Sequence, residues 1–235
     1  MQALGDDRGY QYFAGIHGLP LPIGCDNAHG TPYFLPWHRA YLYFFERALR
    51  DRESAAMLPW WDWRVSATRP PRIPAAYAVE QASGGPNPLF AGDVNPLALQ
   101  QGGNQVPART FRRPGAPGSP PLPSVQEVTD VLAIRDFTGF SVAMESLHDR
   151  VHLSVGGHIG QIPYAAYDPL FWAHHCMIDR LWRIWHLMHR ALPPDAILDQ
   201  ALPPFRMTVR QTLSVTALGY DYAVSSVSAS ASPTT

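Results

Sequence analysis

His148 and His152 have the spacing of two ligands of one metal ion. They lie four residues apart in FSVAMESLHDRVHLSV, whose pattern of apolar residues predicts a helix. On a helix, residues at positions i and i+4 project from the same face about one turn apart. Histidine pairs at this spacing also occur as ordinary core or surface pairs, so this pair alone leaves both interpretations open.

His175 adds a third candidate ligand later in the chain. It lies in DPLFWAHHCMIDRLWRIWHLMHRAL, which predicts a second helix with a buried face, and a buried imidazole needs a polar partner. Asp179, one turn further on, could accept the distal N–H of His175, an arrangement that orients many metal ligands. The alternative is that Asp179 pairs only with Arg180 or Arg183.

The first half of the chain supplies three more histidines, His17, His29 and His38. His29 and His38 are too far apart in register to share one helix face, so His29 is predicted to lie in a loop before Pro36. A ligand set of imidazoles favours copper, zinc, nickel or iron over calcium or magnesium. The sequence has no HExxH motif and no carboxylates at bridging spacing, which disfavours a zinc or iron hydrolase.

Two helical halves are predicted to carry these histidines. In the first half, one helix is expected over residues 1 to 17, and Pro36 begins another that ends at about Asp51. Residues 66 to 124 contain 12 of the 24 prolines, which predicts a long wrapped loop that joins the two halves of one site.

The second half is predicted to be helical from about Val125 onward. Asp168 and Pro169 have the pattern of a helix cap followed by a first-turn proline. MTVRQTLSV, residues 207 to 215, is rich in β-branched residues and predicts a short C-terminal strand.

Length and composition exclude several classes of protein. At 235 residues with 46% hydrophobic content, the chain predicts one domain over residues 1–222 and a disordered tail over residues 223–235. The net charge of −1, without any run of like charges, argues against a nucleic-acid partner. All 18 basic residues are arginine, so no lysine can form a Schiff base.

Neither a membrane span nor an export signal is predicted. The sequence lacks a long apolar stretch, and its start lacks a basic region followed by an apolar run. The chain is therefore expected to be soluble and, by default, cytoplasmic. The sequence leaves the oligomeric state open.

Three segments resemble the copper motifs of tyrosinases, catechol oxidases and molluscan haemocyanins. HGTPYFLPWHRAYLYFFERAL resembles the first motif, and LHDRVHLSVGGHIG with DPLFWAHHCMIDRLW resembles the second. The resemblance covers residues 10–55 and 140–190 closely. TVRQTLSVTALGYDY, with Tyr220 and Tyr222, resembles the closing strand and tyrosine motif of plant and fungal members.

This resemblance implies a mainly α fold, with a four-helix bundle core that holds a dinuclear copper site. It assigns one copper ion to His17, His29 and His38 and the other to His148, His152 and His175. His174 is then a structural neighbour, because adjacent helix residues point about 100° apart. The implied reaction oxidises catechols to o-quinones with O2, and ortho-hydroxylation of monophenols is a further activity that the resemblance leaves open.

Some positions depart from the family pattern or bear on the substrate. Asp149 stands where many tyrosinases carry asparagine, and three roles are open for it: to act as a base, to repel an incoming phenolate, or to pair with Arg150. Glu145 is a candidate to orient a catalytic water, with a structural role as the alternative.

The expected mouth of the substrate pocket is apolar. Leu153 and Ile162 match positions at this mouth, and because both are apolar they favour small neutral phenols over tyrosine as substrates. His158 follows the glycine pair near the site and is a further candidate contact for the substrate. For Cys25, the alternatives are a thioether to His29 and a thiol.

Two other functions are compatible with the same motifs. A haemocyanin-like reversible O2 carrier is one, although the chain stops soon after the tyrosine motif without a shielding segment, which favours an enzyme. An o-aminophenol oxidase is the other.

Overall fold

The computed structural model describes residues 1, 5–21, 25–64, 72–82, 84–103 and 106–223. Within them the chain is mainly helical, as predicted. The α-helices are α1 (Tyr10–His17), α2 (Phe34–Arg50), α3 (Ala75–Ala78), α4 (Pro96–Gly102), α5 (Val125–Leu132), α6 (Phe137–Val155), α7 (Leu170–His189), α8 (Asp195–Leu198) and α9 (Val209–Thr212). Short 3-10 helices span Cys25–Asn27, Gly157–Gly160 and Ala165–Tyr167, and β1 (Gln81–Ala82) pairs antiparallel with β2 (Gly85–Pro86).

Helices α2, α5, α6 and α7 form the core bundle. α2, α6 and α7 pack against one another, and α5 packs against both α6 and α7. Fifteen of the twenty residues of α7 are buried, so this helix lies at the centre rather than on a face. The four-helix core predicted for the chain is therefore present, with the candidate ligands on α2, α6 and α7 and at the end of α1.

The glycine pair after α6 allows the proline-rich segment to pack closely against the end of this helix. Gly156 and Gly157 have φ values of +62° and +69°, a region that residues with a Cβ rarely adopt. A Cβ at Gly157 would lie 2.1 Å from the carbonyl oxygen of Phe111. The proline-rich segment therefore lies directly against the end of the helix that carries His148 and His152.

The proline-rich segment has little regular structure, as predicted, and a buried ion pair secures it. Arg112 contacts both carboxylate oxygens of Asp168 and donates to the backbone carbonyl of Tyr77 at 2.6 Å. Asp168 also accepts the backbone N–H of Leu170, the first residue of α7. The N-cap of α7 is Pro169 rather than Asp168, so the predicted cap lies one residue later than the sequence pattern places it. The segment is thus tied to the start of α7, the helix that carries the candidate ligand His175.

Two predictions of local structure are wrong. The first helix begins at Tyr10 rather than at residue 1, because the carboxylate of Asp6 accepts the backbone N–H of Arg8 and closes a turn before it. The predicted strand over residues 207–215 is instead a helical turn, α9.

The start of α9 explains this error. The backbone N–H of Thr208 donates to the side chain of Gln211, which begins a helix, and Thr208 forms only an isolated bridge with Ala201. This bond favours a helical turn over the β-strand that the Thr and Val residues of the segment would otherwise favour.

Two further predictions concern the C-terminal tail and membrane spans. Residues 224–235 lie outside the described residues, and so does nearly all of the predicted tail. Among the described residues, no helix is long and apolar enough to cross a membrane.

Candidate metal centre

The side chains of His148, His152 and His175 converge on one point. Their Nε2 atoms lie 2.9 Å apart for His148 and His152, 3.2 Å for His148 and His175, and 3.3 Å for His152 and His175. Three nitrogen ligands of one ion about 2 Å away are separated by distances of this size. All three side chains are buried. The second predicted histidine set is therefore brought together as metal ligands would be.

Contacts of the Nδ1 atoms of His148 and His152 orient their rings so that the Nε2 atoms face the common point. The Nδ1–H of His152 donates to the carbonyl oxygen of Ile159 at 2.5 Å, and His148 Nδ1 contacts Asp149 Oδ1 at 2.9 Å. Both contacts leave Nε2 for a metal ion. His175 Nδ1 is buried without a hydrogen-bond partner among the described residues.

The prediction that Asp179 orients His175 is wrong. Asp179 accepts from Arg39 Nε at 2.5 Å and from the hydroxyl groups of Tyr220 and Tyr222, each at 2.7 Å. The carboxylate therefore faces α2 and the C-terminal tyrosine motif instead of the histidines.

The alternative partners of Asp179 are wrong as well, because both are engaged elsewhere. Arg180 donates to the carbonyl oxygen of Ala223, and Arg183 pairs with Asp221. The sequence gives no signal for the buried ion pair with Arg39, which joins residues 140 positions apart.

The first predicted histidine set forms an adjacent group. His17 ends α1, His29 lies in the turn after the first 3-10 helix, and His38 lies in the first turns of α2. The ring centroids are 5.3 Å apart for His29 and His38, 5.8 Å for His17 and His38, and 6.2 Å for His17 and His29. The prediction that His29 lies in a loop is confirmed.

Hydrogen bonds orient two members of this group. His38 Nδ1–H donates to the carbonyl oxygen of Phe34 at 2.8 Å, and His29 Nδ1 contacts Glu145 Oε1 at 2.8 Å. The Nε2 atoms of His29 and His38 are buried and make no hydrogen bond among the described residues. Buried, unpaired and adjacent nitrogens of this kind are what an ion would satisfy.

Cys25 lies beside the first group of histidines. Its Sγ lies 3.2 Å from His17 Nε2. Cys25, His17, His29 and His38 can each offer a ligand atom, and these atoms lie within 4.8 Å of one another. The contact described for the sulfur is thus with His17, whereas the thioether considered from the sequence would join it to His29.

The two groups form a single cluster of imidazoles. His38 stacks on His175 with ring centroids 4.6 Å apart, and His29 lies 5.4 Å from His148. Burial lowers the pKa of His17, His38, His148 and His175 well below the usual value; it lowers the pKa of His152 to about 4. These rings are therefore neutral at neutral pH, which is the form that binds metal.

A cavity of about 620 Å³ opens on the cluster. Leu153 and Ile162 line it and are each 54% exposed, so the apolar mouth predicted from the sequence is present. Glu145 and Asp149 line the same cavity.

His158 does not line this cavity, contrary to its predicted role. It is fully buried, with Nε2 3.2 Å from the carbonyl oxygen of Pro107, and its Nδ1 accepts the backbone N–H of Phe111. Its contacts hold the proline-rich segment in place.

Each of the two carboxylates is bonded to a histidine. Glu145 Oε1 accepts from His29 Nδ1 and from the backbone N–H of Gly30, each at 2.8 Å. The side chain of Asp149 is 58% exposed, yet its partial burial raises its pKa, an effect that His29 opposes and Glu145 reinforces. The alternative in which Asp149 pairs with Arg150 is not found, because Arg150 pairs with Glu127. Sequence spacing places Glu145 near His148 but carries no signal for its bond to His29.

Comparisons with known proteins agree on one family. The model for the common central domain of tyrosinase matches residues 7–188. The tyrosinase of Streptomyces antibioticus is 35% identical, over 87% of this chain and 85% of that protein. The haemocyanin A-type units of Enteroctopus dofleini are 34% identical over 80% of this chain, which spans 16% of that protein's length. A functional unit of octopus haemocyanin superposes with a TM-score of 0.76 at 26% identity, covering 94% of this chain and 61% of the unit.

Proposed function

The chain belongs to the tyrosinase family of type-3 copper proteins, and from this premise we propose that it oxidises o-diphenols to o-quinones with O2. Each o-diphenol loses two electrons and two protons, and two such oxidations reduce one O2 to two water molecules. The observation that carries this proposal is a cluster of six imidazoles beneath an open cavity with an apolar mouth.

The six histidines fit the metal ions of this family. We assign His148, His152 and His175 to one copper ion and His17, His29 and His38 to the other. Imidazole suits copper in both of its oxidation states, and the Nε2 atoms of the second group already have ligand spacing. Two copper ions bound there would supply the redox chemistry with O2 that the side chains themselves lack.

The cavity would bind the substrate ring by its apolar wall. Leu153 and Ile162 present aliphatic side chains at the mouth, and Val142, also more than half exposed, extends this surface. None of these residues offers a positive charge to a substrate carboxylate. Small neutral phenols are therefore the substrates that this cavity favours over amino acids.

Asp149 is the residue that we assign to the phenolic proton. Its Oδ1 contacts His148, which leaves Oδ2 to accept a proton from a hydroxyl group in the cavity. The raised pKa of this carboxylate makes it a stronger base than an ordinary aspartate. Its position beside His148 would keep the accepting oxygen close to the oxidised ring.

Glu145 acts through His29 in this proposal. Its Oε1 fixes the ring of His29 and the backbone of Gly30, so the carboxylate holds the loop ligand against α6. This contact supports the structural alternative considered for Glu145 more than the role of holding a catalytic water.

An enzyme is favoured over an O2 carrier by the opening of the cavity. Among the described residues, the side chain of His29 is 20% exposed and Asp149 is 58% exposed at the same mouth, so a molecule larger than O2 can reach the cluster. The similarity to haemocyanin units keeps the carrier as the second candidate. Oxidation of o-aminophenols stays a prediction that the same assay addresses.

Anaerobic loading with copper followed by O2 tests the assignment. We expect two coppers per chain and a near-ultraviolet absorption band that appears with O2 and decays on addition of a catechol, with quinone formed. A monophenol and an o-aminophenol, added separately, determine the further activities. A band that persists in the presence of every phenol would support a carrier, and a chain that holds two coppers without a band would contradict the proposal.

A further inference from the structure

His174 is a buried histidine to which the proposed function gives no role. It is fully buried on α7, and neither Nδ1 nor Nε2 has a hydrogen-bond partner of normal geometry among the described residues. Burial lowers the pKa of His174 well below the usual value, and a contact with the backbone of His148 opposes this shift. A neutral imidazole carries one N–H donor and one acceptor, and a backbone carbonyl can engage only the donor. The acceptor nitrogen of His174 therefore has no donor in the described part of the core, which requires an explanation.

The ring of His174 lies against the second histidine group. It stacks on His148 with centroids 5.1 Å apart and an interplanar angle of 17°, and its centroid is 4.8 Å from that of His152. His148, His152, His174 and His175 can each offer a ligand atom, and these four atoms lie within 4.8 Å of one another. His174 therefore has a ligand atom within 4.8 Å of those of the other three histidines.

Among the described residues, the rest of the surroundings of His174 provides no hydrogen bond. Trp63 contacts His174 edge to face at 6.3 Å, and the Nε1 of Trp63 is buried without a described partner. A metal ligand gains the partner of its acceptor nitrogen only when the ion is present, which accounts for the unsatisfied acceptor nitrogen of His174.

We call the site of His148, His152 and His175 the second metal position and that of His17, His29 and His38 the first. We propose that His174 is an auxiliary ligand of the second metal position, and that it binds when the protein holds one metal ion rather than two. With His148, His152 and His175 it provides four imidazoles, a donor set that matches the tetrahedral preference of an isolated d10 ion such as Cu⁺ or Zn²⁺. The second position then captures the first ion to arrive and holds it until the first position fills. This inference rests on the proposed function, because it assumes that the cluster binds copper.

Variants that keep only the second metal position test this role, because metal binding can then be measured without any assay of activity. His29→Ala removes a ligand of the first position from a turn and leaves the second position intact. In this background we compare His175→Ala with the double change His174→Phe and His175→Ala, using Co²⁺ as the probe in competition with a chelator. If His174 substitutes for His175, adding His174→Phe weakens Co²⁺ binding by about 100-fold, as loss of a ligand or its support does.

Two controls separate ligation from packing. His174→Gln is tested beside His174→Phe, because the shorter amide keeps polarity but does not reach the common point, and the metal-free variants are compared by circular dichroism and thermal unfolding. Pulsed electron paramagnetic resonance of Cu²⁺ in the His29→Ala protein counts the coupled imidazoles without any change at position 174. Four coupled rings are expected with His174 present.

The outcomes distinguish this inference from the proposed function. Equal Co²⁺ affinity with and without His174, together with three coupled rings, would overturn it and leave a buried water as the partner of His174. If the unsubstituted chain also failed to bind copper at either position, the proposed function would fail as well. Binding of two coppers with an inert His174 would overturn only the auxiliary role.

Discussion

The two histidine groups differ in how the chain holds them. The second group takes its three histidines from two long helices, and its ring centroids lie 4.4 to 5.5 Å apart. The first group takes them from the end of an eight-residue helix, a turn and α2, and its centroids lie 5.3 to 6.2 Å apart. Helices fix ligands through local backbone geometry, whereas a ligand in a turn needs a contact from elsewhere.

Glu145 provides that contact for the first group. It lies on α6, one turn before His148, and binds both His29 and the backbone of Gly30. The second half of the chain therefore completes the metal position of the first half. This difference predicts that the second group has ligand geometry before a metal ion binds, whereas the geometry of the first group depends on the carboxylate of Glu145.

The largest expected effect comes from removing one ligand of each group. His148→Ala and His29→Ala should each lower bound copper from two ions to one per chain and abolish the band that appears with O2. The ion left in His29→Ala, held by the helical group, should bind at least about tenfold more tightly than the ion left in His148→Ala. Chelator competition measures both, and equal affinities would contradict the difference between the groups.

Glu145→Ala should have the next largest effect. Without the carboxylate, His29 loses the partner of its Nδ1, and we expect affinity at the first position to fall by about 10- to 100-fold. Affinity at the second position should not change, because its rings are held by Asp149, Ile159 and the helices.

Glu127→Ala is the matched control for this prediction. Its carboxylate lies on α5, pairs with Arg150 and does not line the cavity. Successive copper titrations of the two variants would show the effect, and weakening at both positions in Glu145→Ala would indicate general loosening of α6 instead.

The stability of the metal-free protein should depend on pH. Burial lowers the pKa of His152 to about 4 in the folded protein, whereas its pKa in the unfolded chain is about 6.5. At pH values between these two pKa values, the unfolded chain binds more protons than the folded one. Stability is therefore complete above the unfolded pKa and is lost as the pH falls through this window, by up to about 1.4 kcal/mol per pH unit for each such histidine.

Urea denaturation at several pH values, with and without copper, measures this dependence. Copper should flatten the curve, because bound ions keep the rings unprotonated. If stability rose on acidification, the cluster would not be buried in the neutral form.

Cys25→Ser should have the smallest effect. Because Sγ lies beside His17 Nε2, we expect the isolated protein to have the mass of a chain without a thioether to His29, and the variant to retain two coppers. Intact-mass and peptide mass spectrometry provide the check. A peptide containing Cys25 joined to His29 would show that the sulfur turns toward the other ligand.

Prediction from the sequence succeeded where one helix determines the geometry. The spacing of His148 and His152 places both rings on one face of α6, and the impossibility of a shared helix face puts His29 in a turn. Prediction failed where a local hydrogen bond between a side chain and the backbone overrides the pattern of residue types. Asp6 closes a turn before α1 in this way, and the bond between Thr208 and Gln211 begins a helix where a strand was expected. Such bonds depend on single side chains, to which residue propensities are insensitive.

Partnerships across the fold were beyond the reach of the sequence. His158 followed a glycine pair near the expected mouth, yet its ring turns to Pro107 and Phe111. Asp179 had the spacing of a partner for His175, yet it binds Arg39 on another helix. Position along a helix limits the direction of a side chain, but the packing of neighbouring elements selects its partner.

The sequence by itself determined the histidines of the candidate site, the helices that carry most of them and the family. Only the tertiary structure decided that Glu145 holds His29, that Cys25 lies beside His17 and that His174 is buried next to His148 and His152. The physical reason is that helix periodicity is a local property of the chain, whereas each of these contacts joins different elements or depends on how they pack.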